Sequence, residues 1–154
     1  ESEFRKSKSF KFAVVRDPLR RFVSCYCNRV LDLEDLMISR REIEQKNLPL
    51  RPDINTFAHH LDTYRTLNLS IRHHTEPQVT FLAKDLQVYD RIYTIEEMDL
   101  LEKVFTGFSS ELRFGREKSG GSRIELSSIS AQNVAKLKRF YRPDYLALKN
   151  YLSS

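Results

Sequence analysis

The chain contains no tryptophan, and only two cysteines and four glycines in 154 residues. Without tryptophan, its large core side chains must come from ten phenylalanines and seven tyrosines. The cysteines, Cys25 and Cys27, are one residue apart. A bridge between them would close almost no loop, so a disulfide-stapled scaffold is excluded and a reducing compartment is expected. The C-x-C spacing has no second pair downstream, which argues against a zinc site. The histidines form two adjacent pairs, His59-His60 and His73-His74, and no H-x-x-x-H occurs, so no metal is expected. No apolar run approaches the ~18 residues of a membrane-spanning helix. No signal-peptide pattern appears, and membrane association is not indicated. Internal repeats and low-complexity segments are missing as well, which excludes solenoid and linker-like architectures.

What is present fits one globular domain: 40% hydrophobic and 31% charged residues. Residues 1–9 are polar and basic and read as a flexible start, with 10–154 as a single domain. The formal charge of +5 favours anionic partners such as nucleotide phosphates, acidic glycans, nucleic acid or a membrane surface. It also fits plain solubility. The basic residues are scattered and no groove-reading motif is evident, so nucleic acid is not an expected partner.

Phe10 to Arg16 reads as a strand that alternates at first and then becomes continuously apolar, the pattern of a strand buried on both faces of a parallel sheet. Asp17 is placed to cap a helix and Pro18 to open it. Leu19 to Leu31 then carries Leu19, Phe22, Val23, Tyr26 and Val30 on one face. A charged helical stretch runs to about Gln45, and Leu48 to Pro52 is a linker. Asp53 opens a helix with Ile54, Phe57, Ala58, Leu61 and Tyr64 at helical spacing. Residues 70–78 read as a loop, Tyr89 to Ile95 as a second strand and Glu96 to Phe105 as a helix. A polar loop spans Arg113 to Arg123, a helix spans Ser130 to Tyr141, and Pro143 breaks it before a short helix from Tyr145 to Leu152. Strands separated by helices give an α/β class with a parallel sheet flanked by helices.

Chemistry concentrates where the first strand meets the first helix. Arg16 lies at the carboxyl end of that strand, where α/β sheets place ligands, and the helix N–H groups and dipole favour an anion beside it. Arg21 and Ser24 share a helix face, as do Arg20 and Ser24. Arg16, Ser24 and one of these arginines can converge on one phosphate, since guanidinium donates parallel bonds and serine adds a neutral donor. A surface salt-bridge set with a helix cap uses the same residues, and the chemistry alone leaves both open.

The segment resembles the 3′-phosphate-binding motif of sulfotransferases, R-x-P-x-x-R-x-x-S-x-Y, matched here by Arg16, Pro18, Arg21, Ser24 and Tyr26. The resemblance implies that Arg16 and Ser24 hold the 3′-phosphate of 3′-phosphoadenosine 5′-phosphosulfate. Further on, His74-Thr75-Glu76-Pro77-Gln78 resembles the H-W-x-P-Q element of chondroitin and HNK-1 type carbohydrate sulfotransferases, with Thr75 where the family usually has tryptophan. Tyr89 to Glu96 resembles their Y-D-x-I-x-x-x-E strand, Asn55 to Leu61 their T-F-x-x-F/H-x-x-L helix, and Tyr141 to Tyr145 their Y-R-x-D-Y/F close. These matches follow the family's order over most of residues 10–152.

The family implies transfer of a sulfuryl group to a sugar hydroxyl of a glycan or glycoconjugate, on a P-loop-NTPase-like fold and without a metal. His74, neutral near pH 7, is a candidate general base, and a structural histidine bonded to the backbone of its loop is the alternative. In related heparan-type enzymes the base lies upstream of the phosphate motif. The glycine loop from Gly115 to Arg123 lacks the Lys-Ser/Thr of a nucleoside-triphosphate loop. By resemblance it closes over the nucleotide, with Lys118, Ser119 and Arg123 as the residues able to do so; a solvated surface loop is the alternative.

The family's first strand and Lys-containing donor loop precede the phosphate motif, and only nine residues precede Phe10. An N-terminally incomplete chain is therefore expected, with a non-catalytic nucleotide- or polyanion-binding domain as the alternative. Few cysteines and no membrane anchor tilt the reading to a cytoplasmic, bacterial-like member. A Golgi lumen enzyme is the alternative if an anchor is missing.

Overall fold

The computed structural model describes residues 9–107 and 122–152. Strand β1 (Phe12–Val15) pairs in parallel with β2 (Arg91–Thr94), from Phe12 opposite Arg91 to Val15 opposite Thr94. Parallel neighbours require a long crossover. Here it is made by helices α1 (Pro18–Cys25), α2 (Arg40–Gln45), α3 (Ile54–His59), α4 (Leu61–Leu67) and α5 (Leu69–Thr75). After β2 come α6 (Met98–Thr106), α7 (Ala131–Phe140) and α8 (Arg142–Ala147). The result is helix-rich with a small parallel sheet, within the α/β class.

The main core lies among the helices. Phe22 stacks on Phe57 at 5.6 Å between ring centroids, and Tyr26 and Tyr64 pack against the same ring. Tyr26 and Tyr64 turn their hydroxyls outward from this cluster to the carbonyls of Pro52 and Pro49, each at 2.8 Å. The linker 48–52 is thereby pinned to the core, because a buried phenol needs a partner. A smaller cluster joins Val15 and Ile92 to Leu148. On the other face of the sheet Phe12 meets Tyr93 and Phe105 of α6 edge-on. Val14 is 37% exposed, so β1 is not buried along both faces as its apolar run predicts. The sheet has two strands, and no described element covers that position fully.

Three further expectations change. The first helix does not run regularly to Leu31: after Cys25 the chain widens into a π-helix over Tyr26–Asp32, closed by Leu33 N–H donating to Asn28 C=O at 3.0 Å. Residues 69–75, read as mostly loop, are helix α5. Its cap is the buried Asn68, whose Oδ1 accepts from Ile71 N–H while its Nδ2 donates to Asp35 C=O. Only Ile71 and Thr75 of α5 are buried, too sparse a pattern to announce a helix. The helix from Ala131 ends at Phe140 before Pro143, as expected, but the next one begins at Arg142 rather than Tyr145, so Pro143 sits in the first turn of α8, where its missing N–H costs nothing.

Candidate functional site

Arg16 sits one residue beyond the last paired residue of β1. Its backbone would have no strand neighbour there, and the side chain of Gln78 takes that role. Gln78 Oε1 accepts from Arg16 N–H at 2.9 Å, and Gln78 Nε2 donates to Arg16 C=O at 2.7 Å. Gln78 is held in turn by the fully buried Asp144, whose two carboxylate oxygens accept from Gln78 N–H and Val79 N–H, each at 2.9 Å. The next residue, Tyr145, donates its hydroxyl to Asp17 Oδ2 at 3.4 Å. A closed circuit of residues 16, 78, 144, 145 and 17 therefore frames the β1–α1 turn.

Asp17 caps α1 as its sequence implies, accepting from Arg20 N–H at 2.9 Å. Its carboxylate already stands at the helix N-terminus, so an anion brought there would meet a like charge. An anion at this turn would therefore have to be held by side chains. Arg16 is the side chain with an open donor there: its Nε is buried and has no hydrogen-bond partner among the described residues. Leaving such a donor unmade costs about 1–3 kcal/mol unless something fills it. Ser24 lies near the end of α1 and is partly exposed. Arg21 is turned toward α5, where its Nη1 donates to Glu76 C=O. Arg123 lies on the exposed stretch before the 3-10 turn Leu126–Ser128. Lys118 and Ser119 lie outside the described residues.

His74 is in the last turn of α5 and half-buried, edge-on to His73 at 5.2 Å. Burial, with Arg29, His73 and Arg21 nearby, holds its imidazole below the usual histidine range against the opposing pull of Asp35. Both ring nitrogens are without a hydrogen bond among the described residues, and the segment is a helix rather than the loop on which the structural alternative rested. Arg29, not singled out in the sequence, lies in the π-helix near enough to act on His74 through its charge. Its Nη1 is 3.6 Å from Asp35 Oδ2, which also takes the Ser70 hydroxyl, and its Nε is buried without a partner. Burial pushes the Cys25 thiol up to about 12 although Arg21 and Arg29 oppose the shift. It is no nucleophile near neutral pH.

Four of the five sequence elements that point to sulfotransferases meet in space. The β1–α1 turn, the Pro77-Gln78 step and the Asp144-Tyr145 step form the circuit, while Phe57 packs against Phe22 and Tyr26 of the Arg16–Tyr26 segment. A model of the sulfotransferase family matches residues 1–151. The chain belongs to the sulfotransferase family. Sulfuryl transfer in general follows from that membership, and the family in general draws on 3′-phosphoadenosine 5′-phosphosulfate. No curated protein and no solved structure matches the chain. Within this sulfotransferase, no described group of three or more His, Cys, Asp or Glu side chains could hold a metal ion. No described helix is long and apolar enough to cross a membrane. Reading the motifs as a linear string missed the roles of Asp144 and Arg29. Asp144 was visible as one position of the closing element, whereas Arg29 carried no signal short of the π-turn itself.

Proposed function

We propose that this sulfotransferase binds the 3′-phosphate end of 3′-phosphoadenosine 5′-phosphosulfate at the β1–α1 turn and sulfates a sugar hydroxyl of a glycan, in the manner of the chondroitin and HNK-1 type enzymes. The observation that carries the reading is Arg16: a guanidinium at the carboxyl end of a parallel strand, its backbone held on both sides, with a buried Nε that nothing in the described protein satisfies. A phosphate oxygen is the partner such a donor suits best. Ser24 adds a neutral donor one helix turn from the basic face.

On this reading Arg16 and Ser24 anchor the nucleotide end, and catalysis is mostly positioning and charge stabilisation. The acceptor oxygen bonds to sulfur as the bond from sulfur to the phosphate oxygen breaks. His74 is the proposed acceptor of the hydroxyl proton, which its lowered proton affinity leaves it free to take at pH 7. Arg21 and Arg29 beside it favour an acidic acceptor. The reading carries with it a single domain on a P-loop-like α/β arrangement. Calorimetry with adenosine 3′,5′-bisphosphate tests it. Arg16→Ala should weaken binding roughly ten- to hundredfold, the worth of a charge-assisted bond. Equal affinities in the two proteins overturn the assignment.

A further inference from the structure

We propose that Gln78 is a positioning residue for the nucleotide site, aiming Arg16 by gripping its backbone from both sides, with Asp144 as the anchor that fixes Gln78. The inference rests on the reading of Arg16 as the phosphate ligand.

The geometry dictates the residue type. Gln78 accepts Arg16 N–H at 2.9 Å and donates to Arg16 C=O at 2.7 Å, the two bonds a neighbouring strand would have made. Only a carboxamide can do both. Glutamate has no donor in its ionised form and would set its charge against the Arg16 carbonyl. Asparagine is one methylene shorter, and the backbone of Gln78 cannot move up to compensate because Asp144 holds both Gln78 N–H and Val79 N–H.

The platform beneath Gln78 is fixed residue by residue. Thr75 C=O accepts from the buried Tyr141 hydroxyl at 3.0 Å. Glu76 C=O accepts from Arg21, and the Glu76 carboxylate pairs with Arg65 at 2.8 Å. The Arg16 side chain itself has no such support at Nε. Its direction is therefore inherited from the backbone, and the backbone beyond the β1–β2 ladder is set by Gln78. Binding strength depends on such pre-aiming, because a long side chain ordered only on binding loses affinity to its own entropy.

The test is a double-mutant cycle read by adenosine 3′,5′-bisphosphate affinity, with ligand-observed NMR for the weaker variants. Gln78→Glu should weaken binding about tenfold in the wild-type background and add almost nothing to Arg16→Ala, since coupled residues are non-additive. An unchanged affinity in Gln78→Glu, or the same loss with and without Arg16, overturns the inference. Should Gln78→Glu fail to fold by circular dichroism, Asp144→Asn carries the same cycle, because it loosens Gln78 while leaving its side chain in place. A wild-type protein that does not bind the nucleotide, or an Arg16→Ala protein that binds it as well as wild type, would instead show that the phosphate reading itself has failed.

Discussion

Asp144 and Gln78 are 66 residues apart, yet the carboxylate of the first is the hydrogen-bond acceptor for the backbone of the second at 2.9 Å. The other carboxylate oxygen serves Val79, so both oxygens of a fully buried acid are committed to two successive N–H groups. The acid thus joins α8 to the step that holds Arg16, and the first prediction concerns its removal.

Asp144→Asn keeps the shape but replaces one acceptor oxygen with a donor. One of the two backbone N–H groups is then left buried and unmade, at a cost of about 1–3 kcal/mol. Urea denaturation should show the unfolding free energy lowered by that amount, as a lower midpoint at an unchanged slope. A variant as stable as wild type would mean that the carboxylate is dispensable to the fold.

His74→Ala should lower turnover roughly 10²–10⁴-fold, the usual worth of a positioned general base, while nucleotide affinity stays near wild type. Burial and then Arg29 lower the proton affinity of His74, so the acid limb of its kcat profile should fall below the ordinary histidine value of 6.5. A near-normal rate in His74→Ala returns this residue to a structural role.

Cys25 links stability to alkaline pH. Burial raises its thiol from an ordinary 9.0 to about 12, against the pull of Arg21 and Arg29. Between those values the unfolded chain loses its proton and the folded one keeps it. The folded state then binds more protons, so stability falls as pH rises, by up to about 1.4 kcal/mol per pH unit. Denaturation curves from pH 9 upward should therefore decline more steeply for wild type than for Cys25→Ala. Parallel declines would place the thiol outside the buried environment seen here. Iodoacetamide at pH 8 should label the native protein slowly and the urea-unfolded chain fast.

The parts of this protein that the sequence determined by itself are those settled within about one helical turn. Asp17 and Pro18 open α1, Asp53 caps α3 through Asn55 and Thr56, and Ser130 caps α7 through Asn133, each from residues two or three apart. The apolar spacing of Leu19, Phe22 and Val23 likewise placed one face of α1 in the core, since a regular backbone turns spacing directly into direction. The strand, turn and helix that carry Arg16, Pro18 and Ser24 belong with these, because the three residues follow one another along the chain.

Tertiary structure decided the rest. Helix α5 is held by Asn68, whose cap is braced against Asp35 and Ser39 some thirty residues earlier. The π-turn over Tyr26–Asp32 that carries Arg29 leaves no mark in residue spacing. The grip of Gln78 on Arg16 crosses 62 residues, and its anchor at Asp144 another 66. Such bonds depend on which distant backbone groups are left without a ladder or helix partner, and that is known only once the chain has closed on itself.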